Sequence, residues 1–114
     1  MEPRDIALTA AKFAKEKKAT RVVVMDLKEQ SDVCSYMVIC SVQNDRQAKA
    51  IAESIDAELK ALGTKALAIE GKQSGQWVLI DFGSVLIHIF LDHIRDYYAL
   101  EKLFPESEFI PTNS

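Results

Sequence analysis

The residues best suited to acid–base chemistry are His88 and Asp81, which lie on either side of the pair Gly83-Ser84. A histidine with a carboxylate nearby can act as a general base. The alternative is a packed or interface histidine that is satisfied by one hydrogen bond, and the lack of a nucleophile or second ligand beside His88 favours it. The sequence also has no glycine-rich phosphate loop, no Gly-x-Ser-x-Gly elbow and no His-Glu-x-x-His motif. We therefore expect the protein not to be an enzyme.

A metal site would have to use Cys34, Cys40, His88 and His93. Strand rise separates His88 from His93 by more than about 10 Å, so a single site that holds both is disfavoured. The spacing of the two cysteines is not that of a zinc site, and both have apolar neighbours. We expect no metal, no cofactor and two reduced, buried thiols.

These residues belong to a stretch, Gln76 to Asp92, that predicts a β-hairpin with a two-residue turn at Gly83-Ser84. That turn sets which residues oppose each other, and opposed residues share a face of the sheet. A slip of one residue would exchange the two faces. The aliphatic face is predicted to carry Val78, Ile80, Phe82, Val85, Ile87 and Ile89, and the mixed face Trp77, Leu79, Asp81, Leu86, His88 and Phe90.

Trp77, the only tryptophan, can be interpreted in two ways. It could be part of the core, as tryptophan often is. Its neighbours on the mixed face are partly polar, however, and clusters of this kind are typical of binding hot spots. The sequence leaves both interpretations open.

The elements that must position the hairpin follow from periodicity and from capping residues. The order α-β-β-α-β-β-β-α predicts an α/β (α+β) domain with one mixed five-stranded sheet and helices packed on it. Asn44 and Gln47 form a capping-box pattern, Gly63 ends the second helix, and Asp92 could cap the third. The predicted helices cover residues 3–18, 44–62 and 92–104; the strands cover 20–27, 36–41, 64–70 and the two hairpin arms; the domain covers 1–105, and 106–114 forms a flexible tail.

The net charge of −3 argues against a nucleic-acid module that works through bulk electrostatics, and it is compatible with a basic protein partner. The lysines from Lys15 to Lys18 are interpreted as a solvated helix end, with an RNA-binding patch as the weaker alternative. No signal peptide or membrane span is recognised, so we expect a cytoplasmic protein.

Several short runs follow one another in a set order along the chain. They are Asp45-Arg46-Gln47, Ile69-Glu70-Gly71, Trp77 to Gly83, His88-Ile89-Phe90, Tyr98 and Leu100-Glu101-Lys102-Leu103. Together these runs make the chain resemble the ribosomal silencing factor family, RsfS, also called the Iojap-like family. The resemblance covers about residues 5 to 105, and it departs from the family pattern at Ser35-Tyr36-Met37 and Cys40-Ser41-Val42.

The resemblance implies a fold similar to nucleotidyltransferases without their activity. Those enzymes need two carboxylates after a Gly-Ser turn to hold metal ions, whereas here Val85-Leu86-Ile87-His88 follows. The resemblance further implies that the protein binds the large ribosomal subunit through ribosomal protein number fourteen and blocks subunit joining. It implies repression of translation when nutrients are scarce and negative regulation of ribosome biogenesis. It also implies that the free protein is a homodimer.

We expect the mixed face and the start of the last helix to bind the ribosomal protein. The alternative function is a degenerate nucleotidyltransferase-like enzyme that acts on a nucleotide through His88 and Asp81. The expected binding residues are Trp77, Leu79, Asp81, His88, Phe90, Asp92, Arg95 and Tyr98.

Overall fold

The computed structural model describes residues 1–112, which form helices on a single mixed sheet. The last two residues of the predicted tail lie outside this range. Along the chain the elements are α1 (Pro3–Glu16), β1 (Thr20–Asp26), β2 (Tyr36–Val42), α2 (Asp45–Ala61), β3 (Ala68–Glu70), β4 (Trp77–Asp81), β5 (Val85–Leu91), α3 (Asp92–Tyr98), a 3₁₀ helix (Leu100–Leu103) and β6 (Glu108–Ile110).

The sheet runs β3-β4-β5-β2-β1-β6. Strands β2 and β5 are parallel, and the other neighbouring pairs are antiparallel, including the predicted pair β1 and β2. Because β2 lies beside β5, the hairpin is joined to the centre of the sheet and does not hang from its edge.

The prediction of five strands is wrong, because the described part of the chain has six. Strand β6 lies within the segment predicted to be a tail and pairs with β1, with Phe109 opposite Met25. Ile110 is buried against the core, and Lys15 Nζ donates hydrogen bonds to Thr112 Oγ1 (2.5 Å) and to the Thr112 carbonyl oxygen (2.8 Å). Three residues are too few to show a strand period in the sequence, so this strand is recognised only from its pairing with β1.

The predicted hairpin register is confirmed. Trp77 opposes Phe90, Leu79 opposes His88, and Asp81 opposes Leu86. The aliphatic face is buried under α1 and α2 in one apolar cluster. Buried alanines on α1 (Ala7, Ala10, Ala11 and Ala14) give that helix a small-residue inner face where it packs on the sheet and α2.

Helix α2 begins as predicted. Asn44 Oδ1 accepts a hydrogen bond from the Gln47 backbone N–H at 2.8 Å. Gln47 Oε1 accepts from the backbone N–H of Gln43, one residue before the expected capping-box partner, and Gln47 Nε2 donates to the Lys18 carbonyl at 3.2 Å. The cap therefore also ties the start of α2 to the turn after α1.

The last helix is shorter than predicted and is not capped by Asp92. Asp92 is its first residue and makes no capping hydrogen bond. The helix ends at Tyr98, because Ala99 adopts a left-handed conformation (φ 48°, ψ 51°) and the chain continues as the 3₁₀ helix. Hydrophobic periodicity runs through both helices and cannot reveal one residue of opposite backbone hand.

Ala99 provides a test of this break in the helix. An L-residue in the left-handed region is strained, whereas glycine is not. We expect Ala99→Gly to raise the free energy of unfolding by about 0.5–1 kcal/mol, net of the greater entropy of the unfolded glycine chain. Ala57→Gly, at an exposed position inside α2, should instead lower it by about 1 kcal/mol. Urea denaturation measures both, and a loss of stability in Ala99→Gly would contradict the assigned break.

Candidate functional site

The outer part of the mixed face carries a chain of contacting aromatic rings. The Trp77 ring centroid lies 4.6 Å from that of Tyr98 and 4.8 Å from that of Phe90. Tyr97 meets Tyr98 edge-on at 5.1 Å, and its side chain is 81% exposed. Helix α3 thus brings two tyrosines beside the tryptophan of β4, and the three rings together present amphipathic surface to solvent.

His88 lies beneath this cluster and is packed, with 5% of its surface exposed. The Trp77 indole Nε1–H donates to His88 Nδ1 at 3.0 Å, and His88 Nε2 has no hydrogen-bond partner among residues 1–112. Burial lowers the pKa of His88 to about 4, which keeps the ring neutral near pH 7. With its accepting nitrogen occupied by the indole, His88 orients Trp77 and is not placed as a general base.

The buried imidazole should make stability depend on pH. The pKa of His88 is about 4 in the folded chain, whereas histidine in an unfolded chain titrates near 6.5. The unfolded state therefore binds more protons between these values, and the free energy of unfolding should fall by about 2 kcal/mol from pH 7 to pH 5. Urea denaturation at both pH values measures this change. It should persist in His93→Gln, which alters an exposed histidine, and most of it should vanish in His88→Gln; an unaltered pH response in His88→Gln would contradict this assignment.

The Asp81 carboxylate has a local structural role. Its Oδ1 accepts a hydrogen bond from the backbone N–H of Gly83 at 2.7 Å, as in an Asx-turn. Gly83 has φ +83°, a conformation that favours glycine at the turn. Asp81 is half-buried, so one oxygen holds the turn while the residue keeps part of its surface in solvent.

The structure buries Arg95, which the sequence analysis placed at the binding surface. Its side chain is 3% exposed. Its Nη1 donates to the Arg21 carbonyl oxygen and, at 3.1 Å, to Ser41 Oγ. Its Nε and Nη2 donate to Glu101 Oε2 at 3.2 and 3.0 Å. Arg95 therefore joins α3, the 3₁₀ helix and the strands, and it has almost no surface with which to meet a partner.

Arg21 anchors α3 from the outside. It lies at an irregularity in the β1–β2 register with a left-handed φ of 50°. Its guanidinium contacts Asp92 at 2.6 Å and Asp96 at 2.8 Å. The hydrogen bond from Arg21 lowers the pKa of Asp92. Asp92 is exposed but already paired, so it is less available to a partner than the sequence suggests.

Phe90 is also buried completely, under Trp77 and Tyr98. Of the eight expected binding residues, Phe90, His88 and Arg95 therefore support the surface from below. Sequence reasoning missed two exposed residues beside it, Tyr97 and Glu70. Glu70 opposes Leu79 across β3 and β4, a signal that only the strand pairing supplies. We name the exposed or half-exposed set the aromatic–acidic surface: Glu70, Trp77, Leu79, Asp81, Tyr97 and Tyr98.

The other reactive residues do not extend this site. Cys34 and Cys40 are buried free thiols, and burial raises the pKa of Cys40 to about 12. Within residues 1–112, no three His, Cys, Asp or Glu side chains converge as metal ligands would. The same part of the chain has no helix whose length and apolar character would let it cross a membrane.

Comparison with known proteins gives a consistent set of relatives. The family model described as "Ribosomal silencing factor during starvation" matches residues 1–114. Ribosomal silencing factor RsfS of Bacillus subtilis is 34% identical over 94% of this chain and 91% of its own, and that of Chromobacterium violaceum is 33% identical over 91% and 85%. A mouse protein named "Mitochondrial assembly of ribosomal large subunit protein 1" is 30% identical over 83% of this chain but 43% of its own length.

Solved structures agree with the fold. A crystal structure of a Chromobacterium violaceum protein superposes with a TM-score of 0.88 at 33% identity and covers 91% of this chain and 87% of the other. A Bacillus halodurans crystal structure gives a TM-score of 0.81 at 31% identity over 95% and 98% of the two chains. Helices packed on a mixed sheet are therefore shared with these proteins.

Proposed function

The chain belongs to the ribosomal silencing factor (RsfS) family, and from that premise we propose that it docks on the large ribosomal subunit and blocks joining of the small subunit. The proposed contact is ribosomal protein number fourteen, on the face of the large subunit that meets the small one. Such a block represses translation when nutrients are scarce. The proposed setting is the cytoplasm, with a homodimer as the free form and a negative effect on ribosome biogenesis.

The observation that carries this proposal is the aromatic–acidic surface. Tryptophan and tyrosine are enriched in binding hot spots because they bury much area and lose little side-chain entropy. Glu70 and Asp81 lie on the same face of the sheet as Trp77, and acidic groups favour a basic partner and faster encounter with it. Ribosomal proteins that lie against RNA are commonly basic, since they neutralise phosphates.

We propose that the protein is a regulator without catalytic activity, because the residues of the hairpin do not provide a catalytic site. The fold is proposed to be similar to that of nucleotidyltransferases, yet the strand after Gly83-Ser84 carries Val85, Leu86 and Ile87 where a pair of metal-binding carboxylates would be needed. His88 and Asp81, the residues of the enzyme alternative, are engaged by Trp77 and Gly83. The matched bacterial relatives carry the name of a silencing factor.

Sedimentation tests the proposed function directly. Isolated large subunits are incubated with the protein and then with small subunits, and the mixture is separated on a sucrose gradient. We expect the protein to migrate with the large subunit and the fraction of joined ribosomes to fall as protein is added. Joining that is unaffected when the large subunit is saturated with the protein would overturn the proposed block.

Asp81 allows its charge to be separated from its role in the turn. Asp81→Asn keeps an oxygen that can accept from Gly83 and removes the charge, so the fold should persist and affinity for the large subunit should fall about two- to fivefold. Asp81→Lys reverses the charge and should weaken binding further. Co-sedimentation measures both, with melting temperature as the check on folding. Unchanged affinity in both folded variants would remove Asp81 from the surface.

A further inference from the structure

A cleft opens at the end of the aromatic–acidic surface, between the β3–β4 connection and β4. It has a volume of about 320 Å³ and is lined by Glu70, Gly71, Trp77 and Leu79. Gly71 has φ +83°, and a side chain there would collide with the carbonyl oxygen of Trp77. The cleft therefore depends on glycine at this position, because the two backbones approach too closely for any other residue.

The lining combines three kinds of group. Glu70 supplies an exposed carboxylate that forms no ion pair among residues 1–112. Leu79 supplies aliphatic surface directly opposite Glu70. Trp77 supplies an indole whose N–H is already donated to His88. Phe90 and Tyr98 contact the ring, and the half-buried side chain still contributes to the wall of the cleft. A carboxylate, an indole ring and an aliphatic wall suit a cation carried on an apolar stem.

We propose that this cleft binds one basic side chain of the protein on which the chain docks, and that this side chain is an arginine. This inference rests on the proposed function and names the chemistry of its contact. The guanidinium would pair with Glu70 and stack on Trp77, while its methylene stem lies on Leu79. Arginine fits better than lysine because its planar, weakly hydrated guanidinium can stack on an aromatic ring and form a bidentate contact with a carboxylate at the same time.

A second cavity of the molecule does not combine a single carboxylate with an indole ring and an aliphatic wall. A larger cavity, of about 890 Å³, lies near Cys34. It mixes acidic and basic residues, and its Lys28 is already paired with Glu108 at 3.2 Å and with Asp26 at 3.7 Å. Groups of both signs favour neither a cation nor an anion, whereas Glu70 is the one charged residue that lines the cleft beside Trp77, so this cleft is the better-defined site.

Glu70→Gln tests the cleft, with Glu58→Gln as a matched control. Both replace an exposed glutamate and change the net charge equally, but Glu58 lies on α2, which packs on the opposite face of the sheet. We expect Glu70→Gln to weaken binding to isolated large subunits about five- to tenfold and to make affinity less dependent on salt. Glu58→Gln should bind as the wild type does. Equal affinity of the two variants would overturn the cleft assignment.

A second measurement separates this inference from the proposed function. Because Trp77 is the only tryptophan, its fluorescence reports on the cleft in the free protein. Titration with hexa-arginine should change that fluorescence in the wild type and in Glu58→Gln, and the change should require higher peptide concentrations in Glu70→Gln. Loss of large-subunit binding in Trp77→Ala with no effect of Glu70→Gln in either assay would refute the cleft and leave the docking function standing. A Glu70-dependent response to hexa-arginine in a protein that fails to bind large subunits would refute the docking function and support the cleft.

Discussion

Replacing Trp77 with alanine is expected to weaken binding to isolated large ribosomal subunits by about 30-fold or more. A central aromatic anchor typically contributes at least about 2 kcal/mol to an interface. In this molecule the substitution also removes the ring against which Tyr98 packs, so the neighbouring part of the aromatic–acidic surface loses its support. Co-sedimentation across a range of protein concentrations gives the change in affinity.

The control for Trp77→Ala is Phe109→Ala. Phe109 is also an exposed aromatic residue, with 56% of its surface accessible, but it lies on β6 at the far edge of the sheet. Its removal should leave affinity within about twofold of the wild type, as expected outside a hot spot. Circular dichroism and melting temperature show whether each variant is folded. Equal weakening by the two substitutions would mean that the docking surface is not where we place it.

Replacing Arg95 with methionine should lower the free energy of unfolding by about 3 kcal/mol, and the melting temperature by about 10–15 °C. The substitution keeps much of the apolar stem but deletes the group to which the Arg21 carbonyl, Ser41 and Glu101 are bound. Partly buried acceptors would then lack a donor, and that loss costs more than the ion pair itself contributes. Thermal and urea denaturation measure the effect.

Arg21→Met is the matched control for Arg95→Met. Arg21 makes two ion pairs, whereas Arg95 makes one, yet the side chains of Arg21 and of its partners Asp92 and Asp96 are 44–64% exposed. Water screens exposed pairs, so the change in unfolding free energy should stay within about 1 kcal/mol. If Arg21→Met were as destabilising as Arg95→Met, burial of the arginine would not be what determines the loss of stability.

The two tests also distinguish direct from indirect effects on docking. Arg95 has almost no accessible surface, so any loss of large-subunit binding in Arg95→Met should accompany loss of stability and of the native Trp77 fluorescence. Trp77→Ala should lose binding while the sheet remains folded, because Trp77 is only half-buried. Arg95 is thus a positioning residue for α3, and Trp77 is the residue that we propose meets the partner.

Much of the hairpin could be predicted from sequence because strand geometry has a strict period of two. Once the turn is placed at Gly83-Ser84, the partner of Trp77 and the aliphatic face follow without further information. The start of α2 could also be predicted from the sequence, because the Asn44 side chain accepts a hydrogen bond from a backbone N–H only three residues away. Local rules succeed where the interacting groups are close along the chain.

The sequence by itself thus determined the hairpin register, the division into an aliphatic and a mixed face, and, through its ordered runs, the resemblance to the RsfS family. Only the tertiary structure decided which of the predicted binding residues reach solvent and which others lie beside them. Arg95 on α3 is buried where it binds Arg21 and Ser41, Phe90 lies under Trp77, and β3 brings Glu70 beside Leu79. Those outcomes depend on contacts between segments that are distant in sequence, such as Arg95 with Arg21, and no local period encodes them. The sequence could therefore predict a binding face, while packing alone decided which of the predicted residues are exposed.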